Sequence, residues 1–255
     1  MPISPVPSFG CGNAKLPDST LTLALPSGFT CPGALQCLAM AERTTGHIFD
    51  GPQQEFRCYE ASIESRFPSA RSSRWRNFEI LKGLDSRDMA DALLAGIAAA
   101  ADHKTTHIRF FTGGDCFSGA LRDAIIAVAE RTPEFISYFY TKNLPLFVDG
   151  AGLLALPENL RVTASWGGKF DGLIDAAGFR RTARVVHYRW VAAANGWPID
   201  TSDRYAWQDE PTHFCHLTHG GQPKGSPAGA AISHRRKTGD FTGYGGRRRG
   251  ATAAA

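Results

Sequence analysis

Short segments rich in β-branched and aromatic residues alternate with helix-length stretches along the chain. The clearest strand is His107-Ile-Arg-Phe-Phe111, and residues 118–131 after it show the apolar spacing of an amphipathic helix. A weaker strand is predicted near the start, and four more follow the helix, so that the set comprises residues 19–25, 135–140, 160–165, 183–188 and 212–217. From residue 107 onward the strand centres lie roughly 23 to 29 residues apart, the length of one strand with its connecting helix.

Two helices are predicted between the first strand and residue 107. One covers residues 58–83 and is perturbed by Pro68, and the other covers residues 86–102 and opens with Ser and Asp as cap and first-turn residues. This alternation predicts a parallel sheet with helices outside it. Six strands in one chain favour an α/β fold that consists of a single parallel (β/α) barrel, complete or incomplete, over residues 1–222.

The stretch after residue 222 has a different composition. Gly, Pro, Ser, Lys and Arg dominate it, and residues 224–249 contain seven Lys or Arg and one acidic residue, Asp240. We expect residues 223–255 to form a Gly/Arg-rich flexible tail. The tail accounts for the net charge of +4, and its basic residues predict at most weak, non-specific contact with nucleic acid. The near-neutral remainder is not typical of a nucleic-acid-binding domain.

Composition places the protein among ordinary globular chains. Of its 255 residues 43% are hydrophobic and 20% charged, which excludes disordered, collagenous and coiled-coil classes. No apolar run approaches the ~18 residues of a membrane-spanning helix, and the N-terminus lacks the basic and apolar stretches of a signal peptide. We therefore expect a cytoplasmic protein without a membrane partner. In a reducing compartment its six cysteines indicate metal binding or catalysis before disulfides.

Polar and aromatic residues follow the predicted strands at the ends where they would meet. Reactive groups of parallel α/β proteins collect at the carboxyl ends of the strands. We therefore predict a site that contains the Cys31/Cys37 loop, Gly113, Gly114, Asp115, Lys142, Trp166, His187 and Arg189.

Three cysteines form the most suggestive group. Five residues separate Cys31 from Cys37 in the loop after the first strand, and twenty separate Cys37 from Cys58. Three thiolates without an obvious fourth fit an iron–sulfur cluster with one open iron, or a zinc ion completed by a histidine. The alternative is that all three are small buried residues.

Two further motifs allow more than one interpretation. Gly113 and Gly114 would let a ligand approach the backbone and Asp115 would accept hydrogen bonds from an amine, but Asp115 or Ser118 equally suits a helix cap. The segment from His213 to His219 holds four potential ligands, yet strand alternation places His213 and Cys215 on one face and His216 on the other. Structural histidines are the simpler interpretation there.

Several motifs together resemble the phage gene product 88 family over roughly residues 10–220. The segments that carry this resemblance are Asn13-Ala-Lys-Leu16, Thr30-Cys-Pro-Gly-Ala34, Phe56-Arg-Cys-Tyr59, Phe67-Pro-Ser-Ala-Arg71, Arg109-Phe-Phe-Thr-Gly-Gly-Asp115 and Phe139-Tyr-Thr-Lys142. The resemblance implies a phage-encoded protein of the host cytoplasm but supplies no activity.

The order of the elements is also similar to that of radical S-adenosylmethionine (radical SAM) enzymes. In that superfamily three cysteines hold a [4Fe–4S] cluster, and a Gly-Gly-Glu segment contacts the amino group of the cofactor. The resemblance implies cluster ligands at Cys31, Cys37 and Cys58 and cofactor contacts at Gly113, Gly114 and Asp115. The superfamily places three and then two residues between its cysteines, and it has Glu where this chain has Asp115.

These observations predict a radical-SAM-like iron–sulfur protein. It would cleave S-adenosylmethionine and begin radical chemistry on a small molecule, with a nucleotide-related substrate suited to a phage. Lys142, Trp166, His187 and Arg189 would line the pocket. The alternative is a zinc-stabilised or metal-free binding protein without redox activity, in which zinc would draw on the three cysteines and one histidine from residues 213–219.

Overall fold

The computed structural model describes residues 6–13, 15–150 and 152–240. Within this part of the chain there are eleven strands: β1 (Gly10–Cys11), β2 (Thr20–Thr22), β3 (Ala39–Ala41), β4 (Ile48–Asp50), β5 (His107–Arg109), β6 (Ile136–Thr141), β7 (Val148–Asp149), β8 (Gly152–Leu153), β9 (Leu160–Ser165), β10 (Thr182–Val186) and β11 (His213–Leu217). The same residues form eight α-helices: α1 (Tyr59–Arg66), α2 (Pro68–Leu81), α3 (Ser86–Ala100), α4 (Gly119–Arg131), α5 (Gly172–Ala176), α6 (Arg189–Ala194), α7 (Arg204–Trp207) and α8 (Pro227–Lys237).

The central sheet keeps its strands in chain order. Seven strands lie side by side as β1-β2-β5-β6-β9-β10-β11, and every neighbouring pair from β2 onward is parallel. Only β1 is antiparallel to its neighbour. The predicted parallel α/β sheet is confirmed. The described residues do not form a closed barrel, because β1 and β11 are the two edges of an open sheet.

Local sequence fixes the helices that cover the outer face of this sheet. Helix α3 begins where Asp85 accepts a hydrogen bond from the Asp88 N–H, and α4 begins where Ser118 accepts from Leu121 N–H. Both helices bury apolar side chains against residues such as Ile108 of β5 in the main hydrophobic core. The predicted helix over residues 58–83 is divided at Pro68, the first residue of α2, because proline starts a helix well but cannot continue one.

The other face of the sheet is concave. Residues that alternate along each strand point to it, such as Tyr138 and Tyr140 of β6. Near one end this face is covered by α7, where Ala206 joins a small apolar cluster and Trp207 lies 4.4 Å from the ring of His107. The remainder of this face opens into a cavity.

The segment predicted as a flexible tail is partly helical. Helix α8 begins at a Ser226 cap and packs through Ala228, Ala231 and Ile232. Arg235 is buried and donates to the carbonyl of Thr218, so this basic residue is directed inward. Residues 241–255, which hold the last three arginines of the predicted tail, lie outside the described residues. No helix in the described part of the chain is long and apolar enough to cross a membrane.

Candidate functional site

A cavity of about 570 Å³ occupies the concave face of the sheet. Each of the six parallel strands contributes a residue to its lining, and the set is Thr22, Arg109, Tyr140, Ser165, Val185 and His216. The remaining walls come from α1, α2 and the N-terminal segment around Lys15. In parallel α/β proteins this is where ligands bind.

The cysteine loop is held across the carboxyl ends of β6 and β9. The carbonyl of Gly33 accepts from Lys169 N–H at 2.9 Å, and Gln36 N–H donates to the carbonyl of Gly167 at 3.0 Å. Gly33 allows this approach, because a Cβ at that position would lie 2.1 Å from the carbonyl oxygen of Lys142. The loop is therefore fixed by contacts within the protein.

Cys31, Cys37 and Cys58 are brought near one another. All three are half-buried free thiols, and Cys58 is the residue before α1 that also lines the cavity. Burial raises the pKa of Cys31 well above its ordinary value, and the charges of Asp115, Cys58 and Cys37 raise it further. Burial, followed by the charge of Cys37, raises the pKa of Cys58 to about 12. The thiols are thus protonated at neutral pH and electrostatically coupled.

Cys37 differs from the other two because a cation is close to it. Burial raises its pKa, but the ammonium group of Lys142 lowers it. Among the described residues no group of three or more His, Cys, Asp or Glu side chains has the geometry to hold a single metal ion. Metal binding by the three cysteines stays a prediction.

Gly113 and Gly114 lie directly beneath the cysteine loop. Gly114 has φ of +79°, and a Cβ there would lie 2.4 Å from the hydroxyl of Thr30. Asp115 accepts from Cys116 N–H at 2.7 Å and from Lys142 N–H at 2.9 Å, and burial raises its pKa to about 6. The structure thus gives each residue of this motif a role within the protein, and the α4 cap is Ser118, not Asp115.

The other predicted site residues lie at the strand ends but do not line the cavity. Lys142 Nζ donates to Ser165 Oγ at 2.8 Å and to the carbonyl of Trp166. The Trp166 ring carries the Arg184 guanidinium at 3.8 Å. His187 Nδ1 lies 2.6 Å from Thr218 Oγ1, and burial lowers the pKa of this histidine.

Sequence reasoning missed a charged cluster on the inner side of the cavity, which we call the cavity floor: Lys15, Arg109, Tyr140, Asp203 and His216. Asp203 accepts from Arg109 Nε at 3.2 Å and from Tyr140 OH at 3.2 Å, and it forms an ion pair with Lys15. Burial opposes ionisation of Asp203, but Lys15 and Arg109 outweigh it and hold the pKa well below its usual range. The only local signal was Arg109, a charge inside an apolar strand.

His216 faces the cavity as a neutral side chain. Its Nδ1 lies 3.1 Å from the carbonyl of Asp200, so that Nδ1 carries the proton and Nε2 is the acceptor. Burial, followed by the charge of Lys15, lowers the pKa of His216 to about 3. His219 also lines the cavity, and its ring lies 4.9 Å from that of Tyr59.

A second charged cluster forms the wall next to Cys58. Arg74 donates to Glu64 at 2.7 Å and forms an ion pair with Glu60. Glu64 is fully buried and also accepts from Ser27 N–H at 2.8 Å. This cluster joins α1 and α2 to the start of the cysteine loop.

A family model described as gene product 88 matches residues 8–239. No match was found among curated proteins or among solved structures.

Proposed function

The chain belongs to the gene product 88 family, and we propose that it is an iron–sulfur protein that acts in the manner of radical SAM enzymes. The observation that carries the proposal is the convergence of Cys31, Cys37 and Cys58 beside a cavity that all six parallel strands line. Residues far apart in sequence meet there in a reducing compartment, where thiols serve as metal ligands.

The donor set suits a cluster better than a single ion. Thiolates are soft ligands that select iron–sulfur clusters or zinc. In a cluster each thiolate binds a different iron, so its ligands lie farther apart than those of one ion, in keeping with coupled thiols that form no single-ion group among the described residues. Binding must displace the thiol protons. Lys142 near Cys37 and the N–H groups of Glu60 and Ala61 near Cys58 favour the thiolates.

When bound, a [4Fe–4S] cluster with one open iron supplies the electron that cleaves S-adenosylmethionine. The chain's own residues bind and orient. Gly113 and Gly114 keep the strand end flat beneath the loop, and Asp115 adds a negative charge close to Cys31 that suits an ammonium group. The cavity would hold a small molecule, and a nucleotide-related substrate suits a phage protein.

A metal-free binding protein is the second candidate. The observation in its favour is that the cysteine loop is held by Gly33, Gln36 and Lys169 without any metal. This candidate predicts a colourless protein that folds and binds its ligand in the presence of chelator. A zinc-stabilised form predicts zinc without sulfide.

Cleavage of S-adenosylmethionine tests the proposal. Full-length chain purified without oxygen is incubated with S-adenosylmethionine and a strong reductant, and released methionine is measured. We expect release by the wild type and by Cys11→Ala, which changes an exposed thiol, and none by Cys31→Ala/Cys37→Ala. Equal release by all three, or none by any, would overturn the proposal.

A further inference from the structure

We propose that the cavity floor is a binding site for the carboxylate of a small organic acid, with Arg109 as its anchor and His216 as the acceptor for a neighbouring hydroxyl or amine. The inference rests on the proposed function only in calling this acid a substrate. The site itself is argued from the floor alone and needs no metal.

Arg109 is a buried guanidinium with unused donors. It is 7% exposed, its Nε donates to Asp203, and its Nη1 donates to the carbonyls of Phe110 and Phe111. Nη2 has no hydrogen-bond partner among the described residues and is not a sealed atom, so it faces the cavity that Arg109 lines. Buried donors of this kind normally have an acceptor, and an anionic oxygen is the strongest one.

The charge of the floor selects a monoanion. Lys15 and Arg109 share one carboxylate, that of Asp203, which leaves one positive charge over. The nearby carboxylate of Asp200 is turned away to accept from the N–H groups of Ser202 and Tyr205. A carboxylate group would balance the excess. A phosphate dianion would exceed it and would also meet the acidic Glu60 wall.

His216 defines what lies beside the carboxylate. Its Nε2 accepts and faces the cavity, since Nδ1 is used by the carbonyl of Asp200. The ring of Tyr140 lies between donor and acceptor, 4.6 Å from the Arg109 guanidinium and 5.5 Å from the His216 ring. The two groups therefore flank one small site. A ligand with a carboxylate and an adjacent O–H or N–H matches both.

Ligand-detected NMR with the full-length chain tests this assignment. The probes are lactate, propionate, which lacks the hydroxyl, lactamide, which lacks the charge, and inorganic phosphate. We expect lactate to bind best, propionate more weakly, and lactamide about tenfold or more weakly, because it loses a charge-assisted hydrogen bond. Phosphate should not displace lactate. Lactamide binding as well as lactate, or displacement by phosphate at equal concentration, would overturn the assignment.

Variants locate the binding. Arg109→Gln should lose lactate binding, while the matched Arg131→Gln, which lies in an exposed ion pair with Asp91, should keep it. Ala70→Leu narrows the cavity without changing a charge and should also weaken binding; it decides the matter if Arg109→Gln fails to fold. Unchanged binding by Ala70→Leu and His216→Gln would contradict the site.

Two controls separate this inference from the proposed function. Cys31→Ala/Cys37→Ala should still bind lactate, since the floor does not involve these thiols; loss of binding in a folded double variant would contradict the assignment. Added S-adenosylmethionine identifies the source of the acid. If it leaves lactate bound, the site serves a substrate, and if it displaces lactate, the site holds the cofactor's own carboxylate. Either result retains a carboxylate site.

Discussion

Arg109 and Asp203 form a buried ion pair in which Nε lies 3.2 Å from Oδ2, although 94 residues separate them in sequence. Arg109 belongs to β5, whereas Asp203 precedes α7 on the far side of the sheet. Asp203 also has φ of +60°, a conformation that Asp tolerates better than most residues. Through this pair the loop before β11 is tied to the inner face of the sheet.

Asp203→Asn should destabilise the protein by about 3 kcal/mol at pH 7, because it leaves two buried cations without their carboxylate. The folded-state pKa of Asp203 is lowered, so the stability gained from its charge is complete above the ordinary Asp pKa and is lost as pH falls toward the folded value. Urea unfolding should show a constant gap between wild type and variant from pH 7 to pH 5 that narrows below about pH 4. A gap that widens on acidification would contradict this account.

Gly33→Ala should destabilise the protein by about 2 to 4 kcal/mol, because the new methyl would meet the backbone of Lys142. Gly119→Ala is the matched control. It has only the end of the Arg122 side chain within 4 Å, and at the start of α4 it should be neutral or stabilising by up to about 1 kcal/mol. Thermal unfolding of both variants tests the prediction, and equal effects would show that the loop does not lie against Lys142.

Lys142→Met should shift the pH profile of Cys37 alkylation to higher pH. The Lys142 charge lowers the pKa of Cys37 against the effect of burial, and only the thiolate reacts. Mass spectrometry of the Cys37 peptide after iodoacetamide treatment of metal-free chain gives the midpoint. Lys104→Met, on the surface, serves as control. A midpoint unchanged in Lys142→Met would show that this charge does not act on the thiol.

The sequence predicted the parallel sheet and its helices because both depend on local patterns. The run His107 to Phe111 marks β5, and the Ser118 cap begins α4 where the amphipathic spacing begins. Strand alternation also separated His216 from Cys215 correctly: His216 faces the cavity, and Cys215 packs in the apolar cluster around Val186. The hairpins β3–β4 and β7–β8 were not foreseen, because their strands are only two or three residues long.

The candidate site was predicted only in part, because its residues meet through tertiary structure. Cys58 reaches Cys37 across the β3–β4 hairpin, a distance that spacing cannot reveal. Asp203 lies in a stretch without any motif, and only the fold shows that Arg109 needs it. The strand-end rule found Lys142 and Asp115 but not the cavity floor, whose residues lie within strands and at the opposite chain segments.

The central claim is that Cys31, Cys37 and Cys58 hold an iron–sulfur cluster. Iron, zinc and acid-labile sulfide measured in full-length chain purified without oxygen test it most directly, with Cys31→Ala/Cys37→Ala and Cys11→Ala alongside. We predict brown wild-type and Cys11→Ala protein with about four irons and matching sulfide per chain, and loss of both in the double variant. Zinc without sulfide, no metal in any form, or a double variant with full iron content would contradict the claim.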